Sequence, residues 1–321
     1  MFQTAFKYYK AKTPPPSFGE VIPIGSNHPK LESVPLPHAD AKSFTGLLPP
    51  SEWKVYELSG HPGLLVVLNP FTPTAQRYWM VRCLADYPSH PNTTNQIGAR
   101  QLIEDVGCSW WELLQTIRSP VEQRKFAKSL RWVTLGYQYD WTRKVYDEAR
   151  REAFPSDLGT MVRYVAAVLG YDRFSPEAAI VNYYPIGATL AGHTDHSEDD
   201  QTAPLFSFSF GQPAVFLIGG TSREERPDAI LLRSGDIVVM SGASRLCYHA
   251  VPRVCTDVEL PAVLGTSAAR WQGEDAALPR DDVLWSDVEQ YIQYSRININ
   301  VRQVLKANQQ TLQRSGCASA S

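Results

Sequence analysis

His193-Thr194-Asp195 closes the run Asn182-Tyr183-Tyr184-Pro185-Ile186-Gly187-Ala188-Thr189-Leu190-Ala191-Gly192-His193-Thr194-Asp195, and its reading decides the fold. Residues two apart on a β-strand point to the same face. An imidazole and a carboxylate at that spacing can hold one metal ion from a single strand. Two later stretches complete such a site. One is His249 in Ser244-Arg245-Leu246-Cys247-Tyr248-His249-Ala250-Val251-Pro252-Arg253, expected on a much later strand across a barrel. The other is Arg296-Ile297-Asn298-Ile299-Asn300-Val301-Arg302. His196 follows Asp195 by one residue and so points to the opposite face.

Two histidines and one carboxylate, with coordination positions left open, are the donor set of non-haem Fe(II) oxygenases. The open positions serve a co-substrate and dioxygen. Taken alone, H-x-D also describes a turn-capping Asp beside a surface His. The arginine stretch bears on that choice. Its polar residues Arg296, Asn298, Asn300 and Arg302 alternate with Ile297, Ile299 and Val301. Such alternation fits a strand half exposed to water. It fits equally a strand whose polar face lines a barrel lumen. Two buried guanidinium groups there require anionic partners, because unpaired buried charge costs several kcal/mol. A small dicarboxylate together with Asp195 would supply them, since the planar fork of arginine matches a carboxylate. Asn182 and Tyr184 share a face by the same two-residue rule and are expected at the other end of that ligand.

Around these stretches, the chain after Gly170 reads as about eight short strands: 179–184, 189–195, 205–210, 214–218, 229–232, 236–240, 247–251 and 296–304. With Gly/Pro-rich turns between them, they signal a sandwich, jelly roll or barrel. Before Gly170 the texture is mixed. Residues up to about Pro50 form an extended arm with at most one short helix. Residues 63–68 read as a buried strand. A helix is expected from Thr74, as N-cap, to Asp86, with Tyr78, Val81 and Leu84 as its stripe. Further helices are expected over 99–116 and 120–130. The aromatic segment 131–141 is β-prone, with a bend at Gly136. A helix from Pro155 to Leu169 buries Leu158, Met161, Val165 and Leu169, and Gly170 caps it. An irregular insertion spans Thr256 to Arg280. A last helix is expected from about Ser286, with Glu289 at capping-box spacing. The polar tail from Ala307 is expected to fray. The implied division is an arm over 1–50, a helical and recognition region over 51–170, a strand-rich core over 171–306 and a tail over 307–321.

Composition sets outer limits. The chain has 321 residues, of which 43% are hydrophobic, enough for an ordinary globular core. The net charge of −2 excludes a general polycation, so nucleic-acid binding would need a local basic patch. Arg118, Arg124, Lys125, Lys128, Arg131, Arg143, Lys144, Arg150 and Arg151 offer one around the aromatic segment; a solvated helix face is the plainer alternative. Five cysteines without a C-x-x-C point to a reducing, intracellular compartment. No apolar run reaches the roughly 20 residues of a membrane span. The first nineteen residues carry Lys7, Lys10 and Lys12 and no acid, which partly matches a mitochondrial presequence. They lack arginine and include Pro14 to Pro16.

The set Asn182-x-Tyr184, His193-x-Asp195, His249 and Arg296-x-Asn298-x-x-x-Arg302 resembles the AlkB family of Fe(II)/2-oxoglutarate dioxygenases. Further matching runs are Leu130 to Thr134, Phe154 to Gly159, Phe206 to Gly211, Ser234 to Ile237 and His249 to Val254. Asn300 departs from the family, which usually has Thr there. The resemblance implies an α+β fold, a double-stranded β-helix (jelly roll) with helices on one side. It implies Fe(II) held by His193, Asp195 and His249, with dioxygen and 2-oxoglutarate as co-substrates. Arg296 would grip the far carboxylate of 2-oxoglutarate, and Arg302 would lie near its metal end. Asn182, Tyr184 and Asn298 would complete that pocket. It implies oxidation of methylated bases in tRNA or DNA, such as N1-methyladenine, N6-methyladenine or 5-methylcytosine. An N-methyl carbon is then lost as formaldehyde, while a C-methyl group stops at hydroxymethyl or formyl. Trp132 would stack on the base, with Tyr137 and Tyr139 as further pocket candidates; core packing is the plain alternative for Trp132. The expected location is intracellular, in the nucleus, the mitochondrion or both. A protein (histone) dioxygenase would use the same iron site.

Overall fold

The structure is a computed structural model that describes residues 1–96, 108–256, 278 and 282–312. Two sheets face each other. The smaller runs in the order Val21–Ile22, Asp228–Leu232, Ala214–Ile218, His249–Val254, Leu190–His193. The larger runs Leu31–Ser33, Lys54–Leu58, Leu64–Leu68, Ile237–Met240, Leu205–Gly211, Ser295–Arg302, Ala178–Pro185, Trp132–Asp140, Thr93–Thr94; Val145–Arg151 forms a hairpin with Trp132–Asp140. The eight strands expected after Gly170 are all present and divide equally between the sheets, which is a jelly roll.

Burial on both faces of the larger sheet explains its sequence. On one face Val181, Tyr183, Phe206, Phe208, Ile297, Ile299 and Val301 pack against helices, among them Pro73–Val81, Ser156–Val168 and Asp282–Ile292. On the other face Tyr184, Leu205, Val238 and Met240 meet Phe216, Ile218, Ile230 and Val251 of the smaller sheet. The alternation in 296–302 is therefore helix side against lumen side. The half-exposed alternative fails, since Arg296, Asn298 and Arg302 are all buried.

The N-terminal arm is integrated into this fold. Helix Phe2–Lys10 lays Phe2, Phe6 and Tyr9 on the outer face of the smaller sheet, against Val215, Leu217, Ala229 and Ala250. Gly136 has φ +70°, and a Cβ there would lie 2.1 Å from the Glu177 carbonyl oxygen. The bend lets Trp132–Gly136 pair with Ala178–Pro185 while Tyr137–Asp140 pairs with the hairpin strand.

Several sequence expectations shift. The first internal helix is capped by Thr72, whose side chain accepts from the Ala75 N–H, so Thr74 lies inside it. Pro73 at the first helical position explains the earlier start. Its buried residues include Ala75, Trp79 and Met80 in place of Tyr78 and Val81, and its last turn, Arg82–Asp86, widens to a π-turn. Of the helix expected over 99–116, Trp110–Thr116 is present with a Ser109/Glu112 capping box; residues 97–107 lie outside the described residues. The next helix, Pro120–Ala127, stops before Leu130, which is buried ahead of the strand. Ser286 sits inside helix Asp282–Ile292 and does not cap it. The insertion over 256–280 lies outside the described residues except for Thr256 and Leu278, as does the tail from 313. As far as Leu312 the tail is anchored: the Leu312 N–H donates to Glu148 Oε2 at 2.8 Å and Gln309 Nε2 to Asp199 Oδ2 at 2.5 Å.

Candidate metal and co-substrate site

His193 ends the edge strand of the smaller sheet, and His249 begins the strand beside it; the two are register partners. His249 thus comes from the neighbouring strand and not from across the barrel. The imidazole centroids are 4.3 Å apart. Each ring is oriented from behind: His193 Nδ1 lies 2.9 Å from the Ala191 carbonyl and His249 Nδ1 3.1 Å from that of Cys247. That leaves both Nε2 atoms free to act as lone-pair donors on one side. Asp195 lies past the strand end, which comes at His193. Its carboxylate nevertheless sits between the rings, Oδ1 4.0 Å from His193 Nε2 and Oδ2 3.8 Å from His249 Nε2. One ligand atom from each residue lies within 4.8 Å of the others, and among the described residues no other cluster of three has this geometry. His196 is exposed, and its imidazole bonds to Thr194 within its own turn.

Electrostatics prepares these groups for a cation. Burial raises the Asp195 carboxyl, but Arg302, His193, His249 and Arg245 together outweigh it and hold the group well below the usual carboxylate range. Burial and the neighbouring His193 push His249 down to about 4, so its ring is neutral at pH 7. Arg302 Nη2 donates to Asp195 Oδ2 at 2.9 Å, and its Nε lies 3.2 Å from Glu198 Oε1.

The arginine strand supplies the pocket wall. Arg296 is register partner of Tyr184, and Asn298 of Asn182, which puts all four on the lumen face. Asn298 donates to Ser207 Oγ and the Phe208 carbonyl, both at 2.9 Å. Arg296 is 1% exposed and donates from Nη2 to Ser209 Oγ at 2.7 Å. Its Nε and Nη1 are buried with no partner. Burial pushes the guanidinium down to about 10 and the Tyr184 phenol up to about 12. A buried cation with two unmatched nitrogens is the chemistry a carboxylate would answer. The donors therefore fit both groups: a divalent ion at the two histidines and Asp195, and a dicarboxylate reaching Arg296.

Trp132 is register partner of Asn182, so it extends the same lumen row one strand outward, half-buried. It contacts Trp141, centroids 5.2 Å apart, and Trp141 meets Tyr139 edge-on at 4.9 Å. The Tyr139 hydroxyl is 3.1 Å from Ser197 Oγ, two residues past Asp195. Tyr137 is placed differently. It is fully buried in a small cluster with Tyr146, Ala178 and Val304, and its hydroxyl donates to Glu148 at 2.9 Å. Sequence reasoning missed Ser207 and Ser209, Trp141, and the buried pair Glu198 and Arg245. Ser207 and Ser209 carry a period-2 signal of their own in Phe206-Ser207-Phe208-Ser209-Phe210. Glu198 opens the acidic run Glu198-Asp199-Asp200, and nothing in the sequence separates it from its two neighbours.

A jelly roll whose open end carries two histidines, one carboxylate and a buried arginine is the framework of a 2-oxoglutarate-dependent iron oxygenase. The family model of the 2OG-Fe(II) oxygenase superfamily matches residues 63–302. The chain is 37% identical over 338 residues to the nucleic acid dioxygenase ALKBH1 of Mus musculus, covering 96% of this chain and 85% of that one. It is 44% identical over 265 residues to the tRNA demethylase abh1 of Schizosaccharomyces pombe, covering 78% and 82%. With the DNA N(6)-methyladenine demethylase ALKBH1A of Arabidopsis thaliana it shares 33% over 277 residues, covering 78% and 77%. The chain belongs to the AlkB family of 2-oxoglutarate-dependent dioxygenases, whose chemistry uses Fe(II), 2-oxoglutarate and dioxygen. No helix among the described residues is long and apolar enough to cross a membrane.

Proposed function

We propose that this enzyme oxidises methylated bases in tRNA, DNA or both, removing N-methyl groups as formaldehyde and hydroxylating C-methyl groups. The observation that carries the reading is the aromatic surface of Trp132, Trp141 and Tyr139 in continuity with the lumen row of Asn182 and Asn298. A base must leave its stack to reach a buried site, and stacking on side chains offsets that cost by about 1–3 kcal/mol per base. The nine basic residues between Arg118 and Arg151, neighbours of this surface in sequence, are all exposed, which suits them to phosphates. The relatives named for tRNA and for N(6)-methyladenine in DNA support the substrate class.

Iron and dioxygen, when bound, supply the oxidising power that inserts oxygen into the methyl C–H bond and converts 2-oxoglutarate to succinate and carbon dioxide. The chain's own residues do the rest. His193, Asp195 and His249 would hold the ion. Arg296 and Tyr184 would receive the far carboxylate of 2-oxoglutarate, with Asn182, Asn298 and Arg302 completing its pocket. Trp132 and Tyr139 hold the base over the open side. A hydroxylated N-methyl carbon then expels formaldehyde as the C–N bond breaks, without help from the protein; a carbon-bound hydroxymethyl has no such leaving group.

We place the enzyme where its substrates are, in the nucleus, the mitochondrion or both, which fractionation with an antibody would test. The test of function is nucleoside mass spectrometry of tRNA and DNA before and after incubation with enzyme, iron and 2-oxoglutarate. Loss of a methylated nucleoside in step with succinate release is expected. Turnover confined to histone peptides would replace this reading with that of a protein dioxygenase.

A further inference from the structure

Asp195 lies beyond the last residue of its strand, so no sheet hydrogen bond fixes a residue that must hold a metal. Two buried arginines do this instead. Arg245 Nη1 donates to the Asp195 backbone carbonyl at 2.7 Å, and its Nε to the Ala203 carbonyl at 2.9 Å. Arg302 holds the Asp195 side chain. Both arginines converge on one carboxylate. Glu198 Oε2 accepts from Arg245 Nη2 at 3.0 Å, while Oε1 lies 3.2 Å from Arg302 Nε and accepts from the Tyr146 hydroxyl at 3.0 Å. Glu198 and Arg245 are each 2% exposed at the side chain and Arg302 4%, so water does not screen these charges.

We propose that Glu198 is a positioning residue of the metal site, clamping Arg245 and Arg302 so that Asp195 is presented to the ion and left free to bind it. This rests on the reading of His193, Asp195 and His249 as the metal ligands. A divalent ion at Asp195 draws charge from the carboxylate and repels the guanidinium beside it. Were Asp195 the only anion near Arg302, arginine and metal would compete for the same oxygens. With Glu198 present, two carboxylates balance two guanidinium groups before any ion enters. Arg302 can then yield part of Asp195 without becoming a lone buried cation.

The probe is Co(II), titrated anaerobically into wild-type protein and followed by its visible absorption, with folding checked by circular dichroism. Glu198→Gln is expected to weaken Co(II) binding about 10- to 100-fold and to change the absorption of the bound ion. Glu198→Asp, which keeps the charge, is expected to recover most of the affinity. Should Glu198→Gln fail to fold, Glu198→Gln with Arg245→Met leaves no lone arginine beside the lost carboxylate and carries the same expectation. A dissociation constant within twofold of wild type in either folded variant overturns the proposal, as does failure of both to fold, which would make Glu198 a folding determinant. Absence of Co(II) binding that His193→Ala abolishes in the wild-type background would instead defeat the metal-site reading itself.

Discussion

Arg296→Met separates stability from co-substrate binding, and the two should move in opposite directions. In the apo-protein two buried Arg296 nitrogens have no partner. An unsatisfied buried donor costs roughly 1–3 kcal/mol, so the pair costs about 2–6 kcal/mol. Methionine has no donor and fills similar space. It forfeits the bond to Ser209 Oγ, a loss of about 1–2 kcal/mol. The apo-variant should therefore be as stable as wild type or more stable, by up to about 5 kcal/mol. Binding should move the other way. Removing one partner of a buried charged pair costs about 2–5 kcal/mol, which is roughly 30- to 4,000-fold in KM for 2-oxoglutarate. The assay is urea unfolding of both apo-proteins, repeated with Mn(II) and 2-oxoglutarate. Ligand at 100 times Kd stabilises wild type by about 2.7 kcal/mol, and the variant should lose that increment. An apo-variant less stable than wild type would refute the orphaned-cation argument. A variant with unchanged KM for 2-oxoglutarate would remove Arg296 from the pocket.

Three further outcomes are expected. Asp195→Ala should abolish turnover, because it removes the one carboxylate donor of the cluster; iron-dependent succinate release surviving in that variant would count against the site. Trp132→Ala should weaken turnover of methylated RNA while uncoupled 2-oxoglutarate consumption continues, since Trp132 lies one strand outside the pair Asn182 and Asn298; unchanged demethylation would deny it a stacking role. Burial raises the Asp236 carboxyl from 3.8 to about 6 despite the backbone N–H groups of Arg233 and Asn69. The folded protein then holds this proton more tightly than the unfolded chain does. The stabilisation is fully present below pH 3.8 and is lost as pH rises through about 6, a change of at most about 3 kcal/mol at 1.36 kcal/mol per unit. The stability of Asp236→Asn relative to wild type should accordingly rise between pH 4 and 6, and a flat difference would show that the carboxyl is not perturbed.

The local patterns that survived folding are those whose physics is local. Alternation in Ser295–Arg302 predicted two unlike faces, and both the helix side and the lumen side are there. The glycine at 136 marked a bend because no side chain fits against the Glu177 carbonyl. The H-x-D spacing pointed to two residues that the structure brings together, but for an incomplete reason: the strand ends at His193, and Asp195 is brought into line by side-chain bonds from far along the chain. The helix cap lies at Thr72, two residues before the expected Thr74, because these two hydroxyls on either side of Pro73 have equal local claims.

From its own residue pattern, the chain determined the jelly-roll strands, the two histidines and carboxylate of the metal cluster, and the arginine row, because pleat geometry turns spacing into direction without outside help. Only the tertiary structure decided which face of that row is lumen, that His249 stands beside His193, that Tyr137 is packed away from the pocket, and that Glu198 ties Arg245 to Arg302. Those depend on contacts between residues some 50 to 100 positions apart, such as Arg245 with Asp195 and Arg302 with Asp195. No periodicity carries that information, because a buried charge finds its partner through the packing of sheets and not along the chain.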